Sequence, residues 1–417
     1  MSLNIIHTSD WHLGKKLFKY SRVKEQIQFL DFLQEAINSN KCDVLIISGD
    51  IFDTPYPPSD AISIYLKFLY EITTKHNVKV FIISGNHDSG RFLETQKPFF
   101  DSQGITIRGH LDIKSASDLI VQVENNKGVS CSITLLPYFR SSDILSIGRT
   151  LYPDLLKEDD ISESILLILE SLFKEIANIS APDSFNILMG HHLFAGYEAS
   201  GSEQGLSLSG IDQLPLSLVR GLFQYIALGH IHKFKIIQKE SPTIIYSGSP
   251  IPFRFSENEQ KKLAFIRINS KTNFDFTTID IPSFKKLITL NCAFEELLLE
   301  LEKIKNDLPV SDDDHFLYAD IKFKDPVMGI PEVIKNELKS FPIKLIGYQA
   351  RYHDENRTLS KFDHNNEVKL LTPKELFESY YFDKHPDSEL IPKELLSDFI
   401  ENLDEYLSLT KEKGVRL

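Results

Sequence analysis

The chain has 417 residues, 42% of them apolar and 25% charged, with 46 Lys and Arg against 59 Asp and Glu for a formal net charge of −13. That balance excludes a disordered chain, a collagen and a coiled-coil rod, and no apolar run reaches the roughly 18 residues that a membrane span needs. At about 150 residues per domain the length predicts two or three domains.

In the first 110 residues, apolar runs of strand length at Leu3–His7, Val44–Ser48 and Val78–Ser84 alternate with helical patterns over Val23–Asn38 and Ala61–Lys75. Such alternation predicts parallel βαβ units. Further strands are expected at Leu119–Glu124, Cys131–Leu136, Phe185–Met189, Tyr225–Leu228, Thr243–Tyr246 and Ala264–Asn269, with an amphipathic helix over 161–178. The Gly- and Ser-rich stretch Ala199–Gly210 predicts a mobile loop. Past Pro282 the pattern restarts. Strands at Leu287–Leu290, Leu317–Phe323 and Ile343–Tyr348 enclose helices at Phe294–Lys305 and Glu332–Lys339, the signature of a second, smaller α/β unit. Beyond Thr372 the chain is helical in pattern, acidic and punctuated by Pro373, Pro386 and Pro392. The expected division is therefore 1–283, 284–352 and 353–417.

The chain opens without a basic stretch and apolar core of the secretory kind. Cys42, Cys131 and Cys292 are scattered and show no CxxC spacing. Both features predict an intracellular protein with reduced thiols. The acidic balance argues against a nucleic-acid binder, whose footprint is usually basic. Net charge is a sum, however, and a bound cation reverses the sign within one cleft.

Five short fragments carry chemistry: Asp10-x-His12, Gly49-Asp50-x-x-Asp53, Gly85-Asn86-His87-Asp88, Gly190-His191-His192 and Gly229-His230-x-His232. Each follows a predicted strand, and open α/β sheets bind ligands beyond the carboxyl ends of their strands. Residues two apart in an extended segment project to one side, so both members of Asp10-x-His12 and His230-x-His232 can face one cluster. Gly49, Gly85 and Gly229 precede the ligand types, where a sharp turn favours a residue without a Cβ. Mixed carboxylate and imidazole donors suit Mn, Fe, Zn or Co more than Ca, and the absence of Cys donors argues against a structural zinc site. Asp10, His12, Asp50, Asn86, His191, His230 and His232 are too many for one four-coordinate ion. They suit two ions bridged by a carboxylate.

His7-Thr8-Ser9-Asp10-Trp11-His12-Leu13-Gly14 and the four later fragments resemble the calcineurin-like metallophosphoesterase superfamily. Within it, the full Asp10–Gly14 opening, Leu136-Pro137-Tyr138-Phe139-Arg140, and Gly248-Ser249-Pro250-Ile251-Pro252 followed by Phe255-Ser256-Glu257 resemble the SbcD family of DNA-repair nucleases, bacterial counterparts of the meiotic-recombination nuclease. The resemblance is strong over 1–283 and weaker beyond. It implies an α/β fold, a metallophosphoesterase β-sandwich flanked by helices, with a small α/β capping domain at 284–352 and a helical C-terminal segment at 353–417 that binds a partner. It implies two divalent ions, Mn2+ first and Mg2+ as the alternative. Asp10, His12, Asp50 and His232 would hold one, and Asp50, Asn86, His191 and His230 the other. The Gly-His-x-x-x-x-Gly pattern of Gly190 to Gly196 selects His191 over His192. His87 would be the catalytic histidine near the leaving oxygen, oriented by Asp53.

The implied activity is ATP-dependent 3′→5′ double-strand exonuclease and hairpin endonuclease action in DNA repair, recombination and replication. The implied partner is an SbcC-type SMC-like ATPase, in a two-plus-two complex that contains a nuclease homodimer, in the bacterial cytoplasm at the nucleoid. Two other classes stay open, a cytosolic phosphodiesterase or nucleotidase for small nucleotides and a non-catalytic scaffold for an ATPase. His7 reads as a buried, hydrogen-bonded strand residue. His76, His110, His315, His353, His364 and His385 match no motif and are expected at the surface. Arg91 and Arg140 fit either phosphate contacts or surface salt bridges, and Trp11 either site shaping or core packing.

Overall fold

The computed structural model describes residues 2–194 apart from 127, 158 and 182, residues 213–308, 314–323 and 329–352, and residues 381, 391 and 392. The expected loop at 199–210 and nearly all of the segment at 353–417 lie outside the described residues, as do His353, His364 and His385.

In chain order the strands are β1 (Leu3–Thr8), β2 (Lys16–Leu17), β3 (Tyr20–Ser21), β4 (Val44–Ser48), β5 (Lys79–Ile83), β6 (Ile105–Arg108), β7 (Ile120–Glu124), β8 (Ser130–Leu135) and β9 (Phe185–Gly190). They continue with β10 (Tyr225–Leu228), β11 (Lys235–Gln238), β12 (Thr243–Tyr246), β13 (Lys262–Ile268), β14 (Phe274–Asp280), β15 (Leu287–Ala293), β16 (His315–Phe323) and β17 (Ile343–Tyr352). Two six-stranded sheets result, in the orders β14-β13-β1-β4-β5-β6 and β11-β12-β10-β9-β8-β7. β1, β4, β5 and β6 run parallel, as do β8, β9, β10 and β12.

The near-continuous apolar runs of these strands reflect burial on both faces. In β4, Val44 and Ile46 join the core between the two sheets, where they meet Ile187, Met189 and Ala227 of the second sheet. Leu45 and Ile47 point the other way, into a core shared with α1 (Val23–Ser39) and α2 (Ser59–His76). Leu188 likewise faces away from the inter-sheet core, toward the cluster of two helices that cover the second sheet. These helices run over Ser141–Leu151 and Ile161–Ile179. These two sheets thus form a β-sandwich with helices on both outer faces. α2 stops at Asn77, whose left-handed φ of 54° suits a helix C-terminus. Among the described residues no helix is long and apolar enough to cross a membrane.

A third sheet, β15-β16-β17, is wholly parallel. Its crossover helices, Leu297–Asn306 and Ile330–Leu338, bury Leu301, Ile334 and Leu338 against Leu317, Ala319 and Ile321. A short hairpin made of β2 and β3 reaches this sheet through aromatic rings. Phe18 stacks on Tyr318 at 6.0 Å between centroids, and Tyr20 lies 5.6 Å from Phe316. His315, expected at the surface, is buried at the start of β16, where its Nδ1 accepts from the Lys286 N–H at 3.2 Å. It opens a strand that runs into the unit's core, a position its sequence neighbourhood does not reveal. Of the other unmatched histidines, His110 is exposed and His76 half-buried.

Candidate metal centre

The five fragments follow β1, β4, β5, β9 and β10, at the carboxyl ends of central parallel strands in both sheets. Main-chain bonds lock the first two loops together: Asp10 N–H donates to the Gly49 carbonyl at 3.0 Å and His12 N–H to the Asp50 carbonyl at 3.0 Å. Asp88 ties in the third. Its carboxylate accepts from the N–H groups of Gly85 (2.9 Å), Phe52 (2.9 Å) and Ile51 (3.2 Å). Such closure holds the backbone in a conformation it would otherwise avoid. Asp10, His12, Asp50 and His230 all have positive φ, at 53°, 43°, 50° and 87°. Left-handed backbone is uncommon in residues other than glycine, and where it clusters it marks functional sites. Of the three glycines, Gly49 makes the expected sharp turn, with φ of 86°. Gly85 answers to close approach instead, because a Cβ there would run into the Asp50 carboxylate.

The donor atoms of these loops converge. Nε2 of His12 and Nε2 of His232 are 3.1 Å apart. Asp50 Oδ2 lies 3.5 Å from His12 Nε2 and 3.4 Å from His191 Nε2. Asn86 Oδ1 is 3.1 Å from His191 Nε2 and 3.0 Å from His230 Nδ1. The Asp10 carboxylate accepts from the His230 N–H at 2.9 Å and lies with His12 and His232 within ligand reach of one another. A second such group is Asp10, Asp50 and His191. All seven residues expected to bind metal therefore face one small region, with Asp50 between its two halves.

The electrostatics fit cations. Burial pushes the Asp10 carboxyl up to about 6. Burial also acts on Asp50, but the charge and hydrogen bond of His191 outweigh it and hold that carboxyl well below the usual carboxylate range. Burial brings His12 down to about 4 and His230 down to about 3, which keeps each ring neutral, with one nitrogen free to bind a metal. His191 is the exception: against the effect of burial, the Asp50 carboxylate raises it to about 9. Two buried carboxylates among four imidazoles and one amide oxygen make a donor set suited to divalent ions.

His87 stands beside this group with its ring 4.9 Å from that of His12. Its Nδ1 meets the main-chain carbonyl oxygen of Asp53 at 3.0 Å. The Asp53 carboxylate, expected to orient His87, instead contacts Lys15 Nζ at 2.5 Å and lies 3.4 Å from His12 Nδ1. Burial pushes the Asp53 carboxyl up, but the His12 and Lys15 contacts outweigh it and bring it to about 2. His192 turns away from the cluster. It is buried between the rings of Tyr138 and Phe139, stacked at 5.0 and 3.9 Å. Trp11 packs in the core between Phe29 and Phe68 and donates its indole N–H to Thr8 Oγ1 at 3.0 Å. Arg91 and Arg140 are exposed. The sequence reading gave no role to Asp88, Lys15 or Phe253. Phe253 packs on the rings of His12 and His232 at 5.2 and 5.6 Å. The place of Asp88 within Gly-Asn-His-Asp was the available signal for it.

The sequence profile of the calcineurin-like phosphoesterase family matches residues 3–234, which contain every one of the five fragments. The chain belongs to the calcineurin-like phosphoesterase family. As a calcineurin-like phosphoesterase it is a metal-dependent hydrolase of phosphoesters. A dimetal phosphatase from Danio rerio is similar in structure, at 13% identity over 67% of this chain and 99% of that one, with a TM-score of 0.40.

Proposed function

We propose that this calcineurin-like phosphoesterase is an SbcD-like dimetal DNA nuclease, with ATP-dependent 3′→5′ double-strand exonuclease and hairpin endonuclease activity. In this reading it acts with an SbcC-type SMC-like ATPase in DNA repair, recombination and replication, and residues 353–417 carry the partner contact. The observation that carries the reading is the position of two of its three distinguishing motifs. Tyr138 and Phe139 of Leu136–Arg140 stack on His192, next to His191. Phe253, inside the Gly248–Glu257 segment, packs on His12 and His232. The α/β unit over β15–β17 adds support, because a phosphoesterase for small substrates has no need of it, and as a capping domain it would shape the access of a duplex end.

Asp10, His12, Asp50 and His232 would hold one divalent ion and Asp50, Asn86, His191 and His230 the other, Mn2+ before Mg2+. Bound there, the ions supply positive charge for the phosphate oxygens and lower the pKa of water to roughly 7. His87 donates its Nδ1–H to the Asp53 carbonyl, which leaves Nε2 facing the departing sugar oxygen; the doubly protonated ring would pass its Nε2 proton there and return to the neutral Nδ1–H form. Asp88 fixes the loop on which Asn86 and His87 sit.

The test is cleavage of linear and hairpin duplexes in Mn2+ and in Mg2+, with and without the ATPase, beside mononucleotides and a small phosphodiester. Duplex cleavage that depends on the ATPase and ATP is the expected result. Turnover confined to small nucleotides would replace this reading with that of a nucleotidase.

A further inference from the structure

His12 and His232 point Nε2 at each other and Nδ1 away from the centre. Behind each Nδ1 stands a carboxylate held by a lysine. For His12 these are Asp53 and Lys15. For His232 they are Glu257, whose Oε1 lies 3.9 Å from His232 Nδ1, and Lys261, whose Nζ is 2.6 Å from Glu257 Oε2. Lys261 is only 6% exposed, and it also donates to the His232 carbonyl at 3.1 Å and to Ser249 Oγ at 3.2 Å. One lysine therefore grips both the main chain of His232 and the carboxylate behind its ring. His232 Nδ1 and Glu257 Oε1 are both buried polar atoms without a hydrogen-bond partner. Leaving both so is costly, on the order of 1–3 kcal/mol for each group. A movement of less than 1 Å would bring them to about 3 Å, hydrogen-bond distance.

We infer that Glu257, anchored by Lys261, is a positioning residue for His232: its Oε1 accepts the Nδ1–H and so presents Nε2 to the metal. A carboxylate behind a ligand imidazole fixes its tautomer and raises its basicity. The lysine offsets the buried carboxylate charge, which would otherwise be expensive to desolvate. On the other side of the centre the corresponding acceptor is neutral: His191 Nδ1 faces the Ser48 carbonyl at 2.7 Å. The effect of Glu257 is accordingly confined to the ion that His12 and His232 share. The inference rests on the dimetal part of the reading above and is independent of the substrate.

Calorimetric titration of the full, metal-free chain with Mn2+ tests it. Glu257→Met fills the space without an acceptor. It is expected to weaken one of two ions by about 10–100-fold, the usual cost of losing such a partner, and to leave the other within about threefold. Glu257→Gln keeps an acceptor oxygen and is expected to recover most of the loss. Wild-type chain that binds no Mn2+ would sink the dimetal reading and the inference together. Two ions in wild type with unchanged affinities in Glu257→Met would sink the inference alone. Should Glu257→Met not fold, imidazole 15N spectra of the unaltered chain loaded with Zn2+ decide the matter. A slowly exchanging His232 Nδ1 proton is expected, and coordination through Nδ1 would overturn the assignment.

Discussion

The main-chain carbonyl of Asp53 faces the His87 ring, with 3.0 Å between that oxygen and Nδ1. Orientation of His87 is thereby separated from the carboxylate of the same residue, which serves Lys15 and His12. We expect Asp53→Ala, which removes the acceptor behind His12 but keeps the main-chain carbonyl, to weaken metal binding while leaving the pH dependence of turnover on His87 unchanged. A shifted pH profile with undisturbed metal affinity would reverse that assignment.

His87→Ala should show the opposite pattern. Its ring stands beside the donor cluster, and general acid–base help typically contributes about 10²–10⁴-fold. Turnover on a small phosphodiester is expected to fall by that factor at near-normal Mn2+ content, both read on one preparation. Wild-type turnover would remove His87 from proton transfer.

Asp50 reaches toward both His12 and His191, at 3.5 and 3.4 Å. Asp50→Ala should consequently lose more bound metal than Asp10→Ala or Asn86→Ala. Elemental analysis of the three purified variants gives the comparison, and full occupancy in Asp50→Ala would refute a bridging role.

Burial holds His7 down at about 3, and its Nδ1 pairs with the Tyr225 hydroxyl at 2.9 Å. An unfolded His titrates near 6.5. Between those values the unfolded chain binds a proton that the folded one refuses, so stability falls as pH drops from about 6.5 toward 3. The contribution approaches about 1.4 kcal/mol per pH unit. Urea unfolding of metal-free His7→Asn between pH 4.5 and 7 should show a slope shallower by about that amount.

Trp11 is fully buried against Phe29 and Phe68. Trp11→Ala should cost about 3–5 kcal/mol, the range for deleting a large aromatic side chain from a core. A cost below about 1 kcal/mol in denaturant unfolding would contradict core packing as its role.

The central strands, α1 and α2 were legible because both-face burial leaves unbroken apolar runs, and a one-sided helix leaves a 3.6-residue stripe. The Val23–Asn38 pattern became Val23–Ser39, and Tyr225–Leu228 matched its strand. The β2–β3 hairpin was invisible, with two residues per strand and its ordering supplied by rings on β16. β14 escaped notice too, as an edge strand in which most residues are exposed. In the centre, residue types that bind metal were legible at strand ends. Glu257 was not, because its relation to His232 arises only when the chain returns from β12 toward β13. Nor could sequence tell which oxygen of Asp53 meets His87.

β1 lies between β4 and β13, with Leu3 opposite Ile268. Its loop carries Asp10 and His12, while His230 and His232 arrive more than two hundred residues later. During synthesis, then, the first ligands leave the ribosome long before the last, and a chain stopped short of β13 lacks the neighbour that completes β1. The donor set is thus incomplete until His232 has been added, so the capacity to hydrolyse phosphoesters is acquired late in synthesis.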